Sequence, residues 1–197
     1  MKRGWMRFWV SGSVVVLAGC ALVGAQTPKA PKKALAHRAN ELTLAGLRPG
    51  RDSVERAVKL YREFGDGQSQ QSDESVWFDQ CRDVSLIVDS DMAKRIQVIR
   101  LAPWGGSTAH CGGVPPSPWK TGLGLRVADS TAKISQLYGE PDSKSPSSRD
   151  KQQLELWYYA FDWAGPDVPQ VMELLCTREQ DGKPGRVVEI TLAAPSL

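Results

Sequence analysis

One short segment of the chain occurs twice, and this self-similarity constrains the fold more than any other feature. Asp52-Ser53-Val54-Glu55-Arg56-Ala57-Val58-Lys59-Leu60-Tyr61 aligns without gaps on Asp129-Ser130-Thr131-Ala132-Lys133-Ile134-Ser135-Gln136-Leu137-Tyr138. Asp, Ser, Leu and Tyr recur at the same offsets, and Leu-Arg precedes each copy as Leu47-Arg48 and Leu125-Arg126. Both copies read as short helices. An Asp just ahead of a helix is placed to accept from a first-turn N–H, and Asp52 with Glu55 has capping-box spacing. Val54, Val58 and Tyr61 make one apolar stripe, as do Ile134, Leu137 and Tyr138. Gly139-Glu140-Pro141 stops the second helix, because Gly suits the C′ position and Pro cannot continue a helix.

The order after each helix also repeats. A Trp-led strand comes first (76–78, 154–161), then a second strand (84–88, 171–175), a turn, and a third strand (96–101, 187–192). Val188 to Leu192 alternates apolar and polar residues, the mark of a sheet with one buried face. The expected fold class is α+β: two tandem modules, each a short helical segment packed on a three-stranded antiparallel sheet. The first module spans 44–101 and the second 122–197. A Gly/Pro-rich linker loop, 102–121, joins them. Its Pro115-Pro116-Ser117-Pro118 run suits neither a helix nor a central strand.

Ahead of the modules, Met1-Lys2-Arg3 and Arg7 precede an apolar run, Phe8 to Leu17, that ends in Leu17-Ala18-Gly19-Cys20. The run is shorter than the about 20 residues of a membrane span and is broken by Ser11-Gly12-Ser13. It has the layout of a secretory signal over 1–19. The last four residues resemble the lipobox of bacterial lipoproteins, which implies acylation of Cys20, attachment to a lipid membrane, and an outer-membrane location facing the periplasm. Val23-Gly24-Ala25 is a competing cleavage site, and a cut there gives a secreted or soluble periplasmic protein. Residues 20–43 read as a basic Pro/Lys tether with Lys29, Lys32, Lys33 and Arg38 and no acid before Glu41. The chain has 25 basic and 22 acidic residues; losing Lys2, Arg3 and Arg7 leaves 22 against 22. A nucleic-acid partner is therefore not expected, since no basic excess survives to meet phosphates.

Three cysteines follow the signal. A Cys81–Cys111 disulfide suits an oxidising compartment, as both flank turn-like segments, although the other pairings stay open. Cys176 ends an apolar run and reads as a buried thiol. His110 beside Cys111 is the single pairing that suggests metal or thiol chemistry. No second ligand cluster accompanies it, and adjacent side chains seldom point at one another. No nucleophile, metalloprotease or phosphate-loop motif occurs, so neither a catalytic residue nor a cofactor is expected. Glu155, Asp162 and Glu173 read as solvent-facing strand positions. Of the seven Trp, five lie beyond the signal. Trp157, Tyr158, Tyr159 and Trp163 form the candidate partner-contact set, because exposed aromatic groups anchor interfaces.

Leu137-Tyr138-Gly139-Glu140-Pro141, the turn and cap Gly124 to Ser130, and Trp157-Tyr158 resemble the BamE/SmpA/OmlA-like envelope modules. The first copy departs from that pattern, since Gly65 is not followed by Pro at the equivalent point. The resemblance implies a non-enzymatic lipoprotein that binds an envelope protein, as an accessory of outer-membrane assembly or maintenance. A tandem pair of such modules is also similar in architecture to secreted β-lactamase-inhibitor proteins, which implies the alternative of a secreted inhibitor or ligand-binding protein.

Overall fold

The computed structural model describes residues 38–64, 73–105 and 117–195. Its strands are β1 (Glu74–Asp79), β2 (Val84–Ser90), β3 (Ile96–Pro103), β4 (Ser143–Arg149), β5 (Gln152–Ala160), β6 (Val171–Thr177) and β7 (Val187–Ala193). Helices α1 (Val54–Leu60) and α2 (Thr131–Tyr138) occupy the two copies of the repeated segment. The helix starts differ in detail from expectation. Ser53 is the cap of α1, its side chain accepting from Arg56 N, and Ser130 is the cap residue of α2 without such a bond. The two aspartates instead close the turns before the helices: Asp52 Oδ2 accepts from Arg48 N at 2.8 Å and Asp129 Oδ2 from Arg126 N at 2.7 Å. Gly139 caps α2 with a positive φ of 71°, a conformation open to Gly at little cost.

The expectation of two separate modules is overturned. All seven strands form one antiparallel sheet in the order β1-β2-β3-β7-β6-β5-β4. The two third strands, β3 and β7, pair directly, with Ile99 opposite Leu192 and Leu101 opposite Ile190. A free third strand in each module would expose a row of unpaired backbone groups; pairing the two removes both edges at once. It also buries Ile99, Leu101, Ile190 and Leu192, each no more than 1% exposed. Uncovering four such side chains costs about 1.5–3 kcal/mol apiece, which outweighs any advantage of independent modules.

Directly opposed residues share a face of the sheet. Trp77, Leu86, Leu101, Ile190, Leu174 and Trp157 therefore form one row across six strands. Both helices cover this face: Tyr61, which follows α1, contacts Trp77, and Tyr138 of α2 contacts Tyr159. One continuous apolar core results, drawing on both repeats.

The repeat itself survives in the backbone. Val54 N donates to Lys94 O and Thr131 N to Gly185 O; Ile96 N donates to Asp52 O and Val187 N to Asp129 O. Isolated bridges join Ser53 to Arg95 and Ser130 to Arg186. A register shift falls at Asp89/Ser90 in β2 and again at Leu175/Cys176 in β6. The segments leading into the helices also meet, through Ala45 N to Lys120 O and Gly122 N to Thr43 O. Leu44 bridges Thr121 there, so equivalent residues of the two copies face each other, as at a local two-fold axis.

Strand β4 has no counterpart in the sequence reading. Ser143–Arg149 is almost wholly exposed and contains Pro146. It is the outer edge strand on β5, where a Pro lacking an N–H is tolerated and where Lys144 and Arg149 discourage further pairing.

Candidate functional site

The two leader segments, 38–47 and 117–126, exchange matching backbone hydrogen bonds but carry different side chains, and this makes two unlike junctions beside the two tyrosines. At the first junction the Tyr61 hydroxyl donates to Ala45 O. Its ring meets Trp77 and Trp119, each at 5.9 Å between centroids, and Phe64 lies 4.9 Å from Trp119. The indole N–H groups of Trp77 and Trp119 are buried and meet no acceptor among the described residues. Burial pushes the Tyr61 hydroxyl well above the usual phenol range, partly opposed by Arg56. A cavity of about 330 Å³ adjoins Leu60, Tyr61, Trp119 and Lys120.

The second junction is polar. Glu41, 2% exposed, accepts from four backbone N–H groups. Oε1 takes Leu42 N (2.9 Å), Thr43 N (3.2 Å) and Gly122 N (3.0 Å), and Oε2 takes Leu123 N (3.1 Å). Oε2 also accepts from the Tyr138 hydroxyl at 2.6 Å. Since that hydroxyl directs its proton at the carboxylate, Thr121 Oγ1 at 2.7 Å donates to it. Burial and the neighbouring Glu41 carboxylate hold the Tyr138 hydroxyl protonated far above the usual phenol range. A Cβ on Gly122 would lie 2.5 Å from Glu41 Oε1, so only Gly lets the carboxylate approach this backbone.

Beside Tyr138 lies a cleft of about 620 Å³ bounded by Arg38, Tyr138, Glu140, Asp142, Phe161 and Asp162. Arg38 crosses it. Its Nε donates to Tyr138 O at 3.0 Å, one terminal nitrogen to Asp142 Oδ2 at 2.6 Å, and the other to Glu140 O. The guanidinium carbon stands 4.7 Å from the centroid of the Tyr159 ring, within cation–π range. Asn40 Nδ2 donates to Asp162 O at 2.8 Å and holds the leader along the same wall. Burial raises the Asp142 pKa, but the Ala160 N–H and Arg38 outweigh it and hold the carboxyl below its usual range.

Of the aromatic contact set, Trp163 is 57% exposed and follows Asp162 at the cleft wall. Trp157 and Tyr159 are buried on the helix-covered face. Lys144 Nζ sits 3.8 Å above the Trp157 ring, and Trp157 Nε1 donates to Glu155 at 2.5 Å. Tyr158 points to the opposite face and is half-buried. The four residues thus do not share one surface. Tyr159, rather than Trp157, stands where Trp77 does, because Tyr138 meets it at 5.8 Å as Tyr61 meets Trp77.

Cys81 is disulfide-bonded and Cys176 is a buried free thiol, pushed up to about 12 by burial and by Glu155. Cys20, His110 and Cys111 lie outside the described residues. Among the described residues no three His, Cys, Asp or Glu side chains gather as metal ligands, and no helix is long and apolar enough to cross a membrane. The sequence reading missed Arg38 and Glu41, both placed in the tether. The signal available was Glu41 itself, the first acid after a run of lysines, directly followed by Leu42, Leu44 and Leu47.

No known family pattern matches the chain, and no curated protein matches it. Among solved structures, a DUF4309-family protein of Bacillus subtilis (YjgB) is similar at 12% identity, with a TM-score of 0.43 over 79% of this chain and 88% of that one. A cysteine-rich secretory protein of Staphylococcus aureus is similar at 12% identity and TM-score 0.40, over 81% of this chain and 49% of that one.

Proposed function

We propose that this chain is a non-enzymatic, protein-binding lipoprotein of the bacterial envelope, held by an acyl group on Cys20 and facing the periplasm as an accessory of outer-membrane assembly or maintenance. The Cys81 disulfide, which we assign to Cys111, fits an oxidising compartment. One observation carries the binding reading. The polar side chains at the second junction are committed to backbone groups, as Glu41 is to four N–H donors, and beside them a cleft stands open next to exposed Trp163. Such side chains shape a surface and are not available to move protons in a reaction, while an exposed Trp one residue beyond the cleft lining is a suitable interface anchor.

The test is a photo-crosslinking amino acid placed at Trp163, with Met92, fully exposed elsewhere, as the control position. In intact envelopes the reading predicts a discrete adduct with an outer-membrane protein from position 163 alone, lost when Cys20→Ser prevents anchoring. Equal labelling from both positions would remove the proposed contact surface. Globomycin is expected to accumulate the precursor; unchanged processing favours the cut after Ala25 and the secreted alternative.

A further inference from the structure

The cleft beside Tyr138 is built around a cation. Arg38 presents its guanidinium plane to three oxygen acceptors on one side chain and two carbonyls, and to the Tyr159 ring. Three N–H donors in fixed directions match those acceptors, which an ammonium group cannot reproduce. Among the described residues the seat has no counterpart at the first junction. At the first junction Trp77 takes the place of Tyr159, and Tyr61 faces indole rings where Tyr138 faces a carboxylate. The cleft is also larger than its occupant needs: about 620 Å³ remains open with Arg38 in place, bordered by Glu140 (side chain 76% exposed), Asp162 and Phe161.

We propose that this cleft is a receptor for an arginine side chain of a partner polypeptide, and that Arg38 fills it in cis as an exchangeable stand-in. The partner's guanidinium takes over the Tyr138, Glu140 and Asp142 acceptors and the Tyr159 face. The flanking residues of its chain lie along Phe161 and Asp162 toward Trp163. Arg38 is then released to solvent, while the leader from Glu41 onward stays held by its bonds to Gly122, Leu123 and Tyr138. The proposal deepens the protein-binding reading by naming the chemistry the partner must carry, and does not depend on the lipid anchor.

Nα-acetyl-arginine amide serves as the probe, on the full-length protein in detergent. In wild type, the Arg38 Nε–H resonance should move toward its solvent position as the probe is added. Arg38→Ala should bind the probe at least about tenfold more tightly than wild type, because the competing occupant is gone. The lysine analogue should bind either protein about tenfold more weakly than the arginine probe. An Arg38 resonance that stays fixed at saturating probe, or equal binding of the lysine and arginine probes, overturns the proposal. The wild-type resonance reads the exchange even where Arg38→Ala fails to fold. Probe binding without a Trp163 crosslink keeps the seat and removes the envelope partner, so the two readings fail separately.

Discussion

The two junctions share a backbone plan and differ in what fills it. Around Tyr61 the space is occupied by Trp77, Trp119 and Phe64, and two indole N–H groups meet no acceptor among the described residues. Around Tyr138 it is occupied by Glu41, Thr121 and the Arg38 seat, and the polar atoms are matched donor to acceptor. The first junction holds by packing of aromatic rings. The second holds by hydrogen bonds and borders a larger opening, about 620 Å³ against about 330 Å³ at the first. Replacing aromatic filling by hydrogen-bonded polar groups goes with the larger of these two openings.

The largest expected effect breaks the first junction. Trp119→Ala removes a fully buried indole and should cost about 3–5 kcal/mol in urea denaturation. Leu42→Ala, at the matching position of the other leader and 41% exposed, should stay within about 0.5 kcal/mol. Equal costs would mean that the leaders are not the unequal pair described above. Glu41→Ala comes next, at about 3 kcal/mol, since it strands four backbone donors and the Tyr138 hydroxyl. Tyr138→Phe should correspondingly cost more than Tyr61→Phe, whose hydroxyl has a single carbonyl partner.

Ala45 and Gly122, whose N–H groups make the two matching cross-leader bonds, differ in backbone conformation. Ala45 sits at a φ of 54°, while Gly122 has Glu41 Oε1 where a Cβ would go. Ala45→Gly should relieve strain and stabilise by up to about 1 kcal/mol, whereas Gly122→Ala should destabilise; thermal melts of the two variants must move in opposite directions. The smallest effect is at the cleft. The Asp142 pKa is lowered on folding, so its contribution is complete above the unfolded carboxylate value of about 4 and fades as pH falls through the lower folded value. The stability gap between wild type and Asp142→Asn should be constant from pH 7 to 5 and shrink below pH 4. Because the Asp142 side chain is 42% exposed, that gap is small; a gap that widens on acidification contradicts the Arg38–Asp142 pairing.

The repeated helix and its three following strands were legible because period and turn chemistry are local. Val54, Val58 and Tyr61 mark a stripe whatever lies across from it. The joining of the repeats was not legible, since Ile99 and Leu101 look alike whether they end a small sheet or pair with Leu192 and Ile190. Strand β4 was hidden because an exposed edge strand needs no apolar alternation, and Pro146 argued against it. The cleft was half visible. Trp163 was picked out as an aromatic contact, but Arg38 and Glu41 looked like tether because their partners, Tyr138, Asp142 and Gly122, lie far along the chain.

The central claim is that the two repeats form one cooperative sheet. Native-state hydrogen exchange on Trp119→Ala tests it most directly. The β6 amides, in the second repeat, should lose as much protection as the β2 amides in the first, because strands of one cooperative sheet open together in global unfolding. Loss of protection in β2 with β6 unchanged would contradict it.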